Sequence, residues 1–322
     1  MRALTVSELG QPPAVSERPA PRPERGQVLL EVAAAPLNPV DVCVAGGDFF
    51  QGHPDLPYTP GVEAVGRVRE GDGMEPGTLV WTSLDGLGTS RDGCAAELAV
   101  ARSKALVPMP DDVDLALAAA LGTAGLAAWI PLTRRAPVRE GETVLVLGAT
   151  GTVGQVAVQA ARLLGAGRIV AAGRSAEGLS HTRDIGADDT VTIGDTATLA
   201  EDLRAACGPD GPSLVFDPIW GEPAVAALAA ARPHARIIQL GQSAGALAPV
   251  PSALLRGKNV DVLGYTNFNM PLDVLAEGYG ELLGHAAAGR IRLDIERVSL
   301  DGAPDAWRNL VTGRRAKVVV CP

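Results

Sequence analysis

Seven residues, Gly148-Ala149-Thr150-Gly151-Thr152-Val153-Gly154, follow directly on the β-branched and apolar run Thr143-Val144-Leu145-Val146-Leu147. They lead into a stretch in which Val156, Val158, Ala161 and Leu164 mark an amphipathic helix. Glycines at a strand-to-helix turn permit the tight bend and the close approach of bare backbone to a ligand, while free N–H groups and the positive dipole end of the helix attract an anion. That chemistry suits the pyrophosphate of a dinucleotide, with Gly148, Thr150, Gly151, Thr152, Val153 and Gly154 as the candidate contacts. About 20 residues beyond such a loop, at the end of the second strand, an acidic side chain selects NAD. This chain carries Gly173-Arg174-Ser175 there. Nothing in that triplet repels a 2′-phosphate, and the Arg174 guanidinium with the Ser175 hydroxyl can hold one through charge-assisted hydrogen bonds, so NADPH is the expected cofactor.

Other chemistry has thin support. Cys43, Cys94, Cys207 and Cys321 are too scattered for a metal knuckle or a disulfide framework, and reduced thiols are expected. His53, His181, His234 and His285 lie in different segments with no carboxylate or cysteine at metal-ligand spacing. Ser175 and Ser243 stand in no nucleophile elbow, and the adjacent pairs Asp111-Asp112 and Asp188-Asp189 suit solvated turns better than acid–base work.

The elements that must position the loop follow from hydrophobic patterning. Strands are expected at Gln27–Ala33 and Val62–Glu70 in a first third dense in Pro and Gly. From about Thr143 apolar strands alternate with amphipathic helices. The strands are 143–147, 169–172, 189–193, 214–216, 235–240 and 260–263, and the helices 152–164, 176–185, 196–207 and 222–231. That order fits a doubly wound parallel sheet. After Asn267 the alternation stops, leaving a helix at 272–289, a strand-like 292–298 and a terminal Lys317–Val320 that resemble the first third. The economical architecture is an α/β Rossmann domain at 123–267 inserted into a split, mainly β domain formed by 1–122 and 268–322.

Length and charge narrow the class. The chain has 322 residues, 47% hydrophobic and 20% charged, with a formal net charge of -9. Two domains are the prior at this length, and the acidic balance argues against a nucleic-acid partner. The compact basic runs are Arg134-Arg135 and Arg314-Arg315, which suit solvated ends. The amino terminus lacks the layout of a secretory signal, and no apolar run approaches the ~18 residues of a membrane span. A soluble cytoplasmic protein with no membrane partner is the expectation.

In order along the chain stand Asn38-Pro39-Val40-Asp41, Leu56-Pro57-Tyr58-Thr59-Pro60-Gly61, Gly122-Thr123-Ala124-Gly125-Leu126-Ala127-Ala128-Trp129, the glycine loop and Lys317-Val318-Val319-Val320. Together they resemble the medium-chain dehydrogenase/reductase superfamily, specifically the zinc-free quinone oxidoreductase branch that includes zeta-crystallin. The resemblance covers nearly the whole chain and implies that the split domain is GroES-like and catalytic. Zinc-dependent relatives place a Cys where Asn38 lies and a His where Val62 lies, and neither an amide nor a valine supplies a zinc ligand. No metal is therefore expected, and without a Lewis acid the reaction shifts from alcohol oxidation toward an already electrophilic acceptor.

The resemblance also places Asn38 and Tyr58 near nicotinamide and substrate, where either can donate to a carbonyl oxygen, Thr123 in the nicotinamide-facing stretch, and Gly241 where backbone nears the nicotinamide. It implies a homodimer, with the edge near Val260–Leu263 as the contact. Cys43 replaces an aromatic residue common in the family, Gly178 and Ile193 replace residues that help hold the 2′-phosphate in some relatives, and Ala316 stands where glycine is common. The expected function is an NADPH-dependent reductase of a small quinone or enone. The alternatives are an enoyl-thioester reductase of the same superfamily and a nucleotide-binding sensor or structural protein with little turnover.

Overall fold

Ten residues from Gln27 to Pro36 make a long strand, and most of their side chains are buried. In the computed structural model, which describes residues 1–82, 84–310 and 316–322, the chain divides into two compact units. The first contains Met1–Ala124, Met270–Gly284 and Asp294–Pro322; the second contains Gly125–Asn269 and His285–Leu293. The Arg314-Arg315 pair lies outside the described residues.

The amino-terminal part of the first unit comprises β1 (Arg2–Thr5), β2 (Ala14–Glu17), β3 (Gln27–Pro36), β4 (Val65–Gly71), β5 (Leu79–Thr82), β6 (Leu98–Arg102) and β7 (Leu106–Pro108). It also carries the helices α1 (Pro39–Gly46) and α2 (Leu115–Ala120). Strand β3 is the hub of its sheet, pairing antiparallel with both β4 and β6. Pro39 opens α1, where its missing N–H costs nothing, and Gly47 closes it in the left-handed region at φ 83°.

The second unit begins with α3 (Leu126–Ile130) and then alternates β8 (Thr143–Val146), α4 (Thr152–Leu163), β9 (Arg168–Gly173), α5 (Ala176–Asp184) and β10 (Asp189–Thr192). It continues with α6 (Thr196–Cys207), β11 (Leu214–Asp217), α7 (Gly221–Ala230), β12 (Arg236–Gln239), α8 (Ser252–Arg256) and β13 (Asp261–Gly264). All pairings in its sheet are parallel, in the order β10-β9-β8-β11-β12-β13. Chain direction across the sheet reverses between β8 and β11, the switch point outside which doubly wound sheets bind ligands. One face is sealed by Leu145, Val170, Val215 and Ile237 packed with Leu199 and Leu203 of α6. Each such side chain contributes about 1.5–3 kcal/mol on burial.

Return segments complete the first unit: α9 (Leu272–Ala287) as far as Gly284, β14 (Ile295–Val298), α10 (Ala303–Leu310) and β15 (Lys317–Val320). Strand β15 joins β14 in parallel and β3 antiparallel, so the terminal residues finish the amino-terminal sheet.

Three expectations change. The units divide at 124/125 and 269/270 instead of 122/123 and 267/268, and His285–Leu293 belongs to the second unit. The side chain of Gln159 accepts from the Arg292 N–H at 2.8 Å and donates to its carbonyl at 2.9 Å, and the Trp129 and His285 rings lie 4.9 Å apart. The strand expected from Val62 starts only at Val65, because the Val62 N–H is given to a side chain, as described below. Finally, the helical stretch Leu115–Arg135 is long and apolar enough to cross a membrane, contrary to the expectation that no such run exists; 78% of its apolar window is buried inside the protein.

Candidate active site

In the first unit four charged or amide side chains are almost fully buried: Asn38 is 2% exposed, Asp41 1%, Glu63 0% and Lys317 3%. Asn38 precedes α1, and its backbone N–H donates to Asp41 Oδ2 at 2.7 Å, the return bond of a helix start. Asp41 Oδ1 accepts from the Val62 N–H at 3.0 Å, which ties α1 to the loop before β4. Asn38 Nδ2 donates to Glu63 Oε1 at 3.0 Å and to the Pro36 carbonyl at 3.3 Å, and Asn38 Oδ1 accepts from Lys317 Nζ at 2.6 Å. Lys317 Nζ also donates to the Leu37 carbonyl at 2.8 Å. Glu63 Oε2 accepts from Trp81 Nε1 at 2.8 Å and from the Thr123 N–H at 2.7 Å. The carboxylate reaches Thr123 because the helical stretch breaks at Gly122, whose ψ is -108° and where any Cβ would collide with Glu63 Oε2 and Trp81 Nε1.

Burial is the largest influence on all three charges. It raises the Asp41 and Glu63 carboxyls, and Lys317 and the donated N–H bonds oppose it. It lowers the Lys317 ammonium, which Glu63 and Asp41 hold up. Tyr58 is pinned by reciprocal backbone bonds with Val6 at 2.8 and 3.1 Å, and its side chain is 1% exposed. Its hydroxyl has no hydrogen-bond partner among the described residues. Burial, and next the Asp41 charge, push that phenol well above the usual tyrosine range.

In the second unit the glycine loop lies at the carboxyl end of β8. Gly148 has φ +58°, and a Cβ on it would meet Ile219 Cγ2 at 2.7 Å. A Cβ on Gly154 would strike the Gly148 carbonyl and come to 2.5 Å from Ala149 Cα, so only glycine allows α4 to start this close to the turn. Space beside Gly151 is open, its nearest neighbour to a Cβ being the Gly148 carbonyl at 3.6 Å. Thr152 and Val153 supply first-turn N–H groups that have no partner within the helix. Thr150 turns toward the second βα unit, where Cβ atoms on Gly173 and Gly178 would lie 2.7 and 2.8 Å from its methyl carbon. Ser175 caps α5 through Oγ, accepting from the Gly178 N–H at 3.1 Å, and Arg174 beside it is exposed. Gly241 follows β12 and packs so closely on the Pro218 carbonyl that no Cβ fits. These residues fit a dinucleotide: an open, anion-attracting helix start at the switch point, lined by backbone that side chains would block.

A zinc ion does not fit the position that Asn38 and Val62 occupy. Asn38 spends both amide hydrogens on Glu63 and Pro36 and its oxygen on an ammonium, while Val62 offers no side-chain donor atom. Among the described residues no group of three or more His, Cys, Asp or Glu could hold a metal. Thus Asn38, Tyr58 and Thr123 share one unit and the glycine loop, Arg174, Ser175 and Gly241 the other. Hydrophobic patterning does not single out Glu63, Lys317 or Trp81. Lys317 and Asn38 are 279 positions apart, so spacing carries no trace of their bond. The available signal was a charge set inside an apolar run, as in Lys317-Val318-Val319-Val320. Asp217, at the end of β11, is a further omission: Oδ1 accepts from the Ile219 and Trp220 N–H groups at 2.9 and 2.8 Å, whereas Oδ2 is buried with no partner among the described residues.

Residues 152–277 match the zinc-binding dehydrogenase family and residues 24–111 the alcohol dehydrogenase GroES-like domain. Over 325 residues the chain is 31% identical to quinone oxidoreductase-like protein 2 of Bos taurus, spanning 98% of this chain and 90% of that protein. The quinone oxidoreductase of Thermus thermophilus, solved also in complex with NADPH, superposes with a TM-score of 0.82 at 29% identity over 100% of both chains. An NAD-dependent alcohol dehydrogenase superposes with a TM-score of 0.87 at 27% identity, again over 100% of both. A split β domain, an inserted doubly wound sheet with its glycine loop at the switch point, and similarity running nearly end to end agree: the chain belongs to the quinone oxidoreductase-like branch of the medium-chain dehydrogenase/reductase superfamily.

Proposed function

We propose that this oxidoreductase uses NADPH to reduce a small quinone or α,β-unsaturated carbonyl and works without zinc. The observation that carries the proposal is the Tyr58 hydroxyl, buried and, among the described residues, unbonded, beside a network in which the Asn38 amide links the Glu63 carboxylate to the Lys317 ammonium and backbone N–H groups hold Asp41. A buried hydroxyl without a partner costs about 1–3 kcal/mol, a cost that a carbonyl oxygen of the acceptor would relieve. Negative charge grows on that oxygen during reduction, and a fixed donor stabilises it. Tyr58 holds its own proton firmly, so it serves as a hydrogen-bond donor, and solvent supplies the proton that completes the product.

The reduced dinucleotide, when bound, supplies the hydride. Gly148, Thr150, Gly151, Thr152, Val153 and Gly154 would hold its pyrophosphate, and Arg174 with Ser175 its 2′-phosphate. Thr123 and Gly241 are assigned to the nicotinamide on the family resemblance. The exposed Arg174, the lack of a carboxylate beside it, and the NADPH complex of the Thermus thermophilus relative support NADPH over NADH.

The test is oxidation of NADPH and of NADH with benzoquinone, an aliphatic enone and an enoyl-coenzyme A ester, each with and without a chelator. Quinone or enone reduction that prefers NADPH and ignores the chelator is expected. Preference for the thioester would move the enzyme to the enoyl reductases, loss of activity with the chelator would restore a metal, and binding without oxidation would make the chain a nucleotide-binding protein.

A further inference from the structure

We propose that Glu63 and Lys317 are positioning residues of the acceptor site, acting through the Asn38 amide that they hold between them. The proposal rests on the reductase reading. An ammonium only donates and an ionised carboxylate only accepts, so the Asn38 amide has one permitted orientation, with Oδ1 on Lys317 at 2.6 Å and Nδ2 on Glu63 at 3.0 Å. Rotating the amide by half a turn would set its NH2 group against the ammonium and its oxygen against the carboxylate. The two charges thereby fix Asn38 while leaving it no hydrogen for a substrate, which separates its role from that of Tyr58.

The same two groups gather five segments. Lys317 of β15 also holds the Leu37 carbonyl, at the turn into α1. Glu63, in the loop before β4, also holds Trp81 Nε1 of β5 and the Thr123 N–H at the break after α2. Asp41, bonded to the Asn38 and Val62 N–H groups, inherits its place from this framework, and its charge is the one that acts on the Tyr58 phenol. A shift of Asn38 therefore reaches the proposed donor through Asp41. Stability alone does not account for the arrangement, because well-packed apolar side chains commonly replace a buried ion pair at no loss. The helical stretch also gives up its regularity at Gly122 to admit the Glu63 carboxylate.

Two readouts test the inference on the full-length protein, using Lys317→Met and Lys317→Gln, the second of which keeps a donor for Asn38 Oδ1 without the charge. The first is the indole N–H resonance of Trp81 in a 15N-labelled sample. Lys317 does not bond Trp81, so a changed resonance in the variants reports transmission through Asn38 and Glu63. The second is turnover with benzoquinone. We expect kcat to fall roughly tenfold or more in Lys317→Met and less in Lys317→Gln, with KM for the quinone moving by less than about threefold. The dinucleotide Kd should stay within about twofold, since the proposed pyrophosphate and 2′-phosphate contacts lie in the other unit.

An unmoved Trp81 resonance overturns the coupling whatever the activity. Full turnover in both variants of an active enzyme overturns the positioning role, as does a kcat loss that only follows the loss of folded protein. Should Lys317→Met fail to fold, Lys317→Gln decides by the same two readouts. A wild-type protein that reduces no acceptor sinks the reductase reading instead, and the resonance arm then decides the coupling alone.

Discussion

At the scale of single residues, the hydroxyl of Tyr58 and the guanidinium of Arg174 pose opposite problems. The first is buried and, among the described residues, unbonded, so Tyr58→Phe removes a group that costs the folded state and supports the proposed reaction. Melting should show the variant as stable as the wild type or more so, by up to about 1 kcal/mol, while quinone turnover falls about tenfold and enone turnover further. Loss of stability together with unchanged turnover would mean that the hydroxyl serves the fold. Arg174 is exposed, where solvent screens a charged contact. Its contribution belongs at the low end of charge-assisted bonds, so Arg174→Ala should weaken NADPH by roughly tenfold and spare NADH. Fluorescence titration with both cofactors checks this, and equal losses would return Arg174 to a structural role.

At the scale of elements, the turn after β11 sits between two glycines that tolerate no ordinary side chain, Gly148 after β8 and Gly241 after β12, and a Cβ on either would meet Pro218. Asp217 ties that turn by accepting two backbone N–H bonds, and burial raises its carboxyl from 3.8 to about 6 against the pull of those bonds. An acid whose folded pKa exceeds its unfolded one binds its proton more tightly when folded. Its contribution to stability is full below the unfolded value and is lost as pH rises through the folded one. Asp217→Asn keeps an acceptor oxygen and cannot ionise. Between about pH 4 and pH 7 the wild type should lose stability relative to this variant, on the order of 2 kcal/mol by the linkage of pKa to folding. Parallel denaturation curves across that range would show that the raised carboxyl is not felt by the fold.

At the scale of the whole molecule, the six-stranded sheet ends on β13, which pairs with β12 on one side and, among the described residues, has no strand on the other. Val262 in its middle is 40% exposed, an apolar residue on an open edge of the kind that natural sheets cover or charge. We propose that a second copy of the chain covers it, making a homodimer in which the same patch meets itself. Light scattering should give a dimer for the wild type and a monomer for Val262→Lys. A wild-type monomer would overturn the assembly without touching the reductase reading.

Much of the architecture is legible in the chain order alone. Helix Thr196–Cys207 and strand Lys317–Val320 have the expected limits, and the other elements expected between Thr143 and Asn267 begin and end within one residue of theirs, because burial on one face imposes a periodicity that adjacent residues record, whereas the short helices Leu126–Ile130 and Ser252–Arg256 are not among the expected elements. The glycine loop is equally local: strand, turn and helix start are consecutive, and the absence of Cβ atoms is written in the residue types. The long helical stretch between Leu115 and Arg135 is not legible from patterning because it is apolar nearly all round, which leaves no polar face to set off a stripe. The polar network is nonlocal. Asn38, Glu63, Trp81, Thr123 and Lys317 come from five separate segments, and which way the Asn38 amide turns depends on charges supplied by the other segments. Sequence by itself determined the elements, the insertion of one domain in another and the dinucleotide loop, whose information lies within a few consecutive residues. Only tertiary structure decided that Asn38 is a spacer between buried charges and that Tyr58 keeps a buried hydroxyl unbonded among the described residues, because hydrogen-bond satisfaction is settled by what folding brings within about 3 Å.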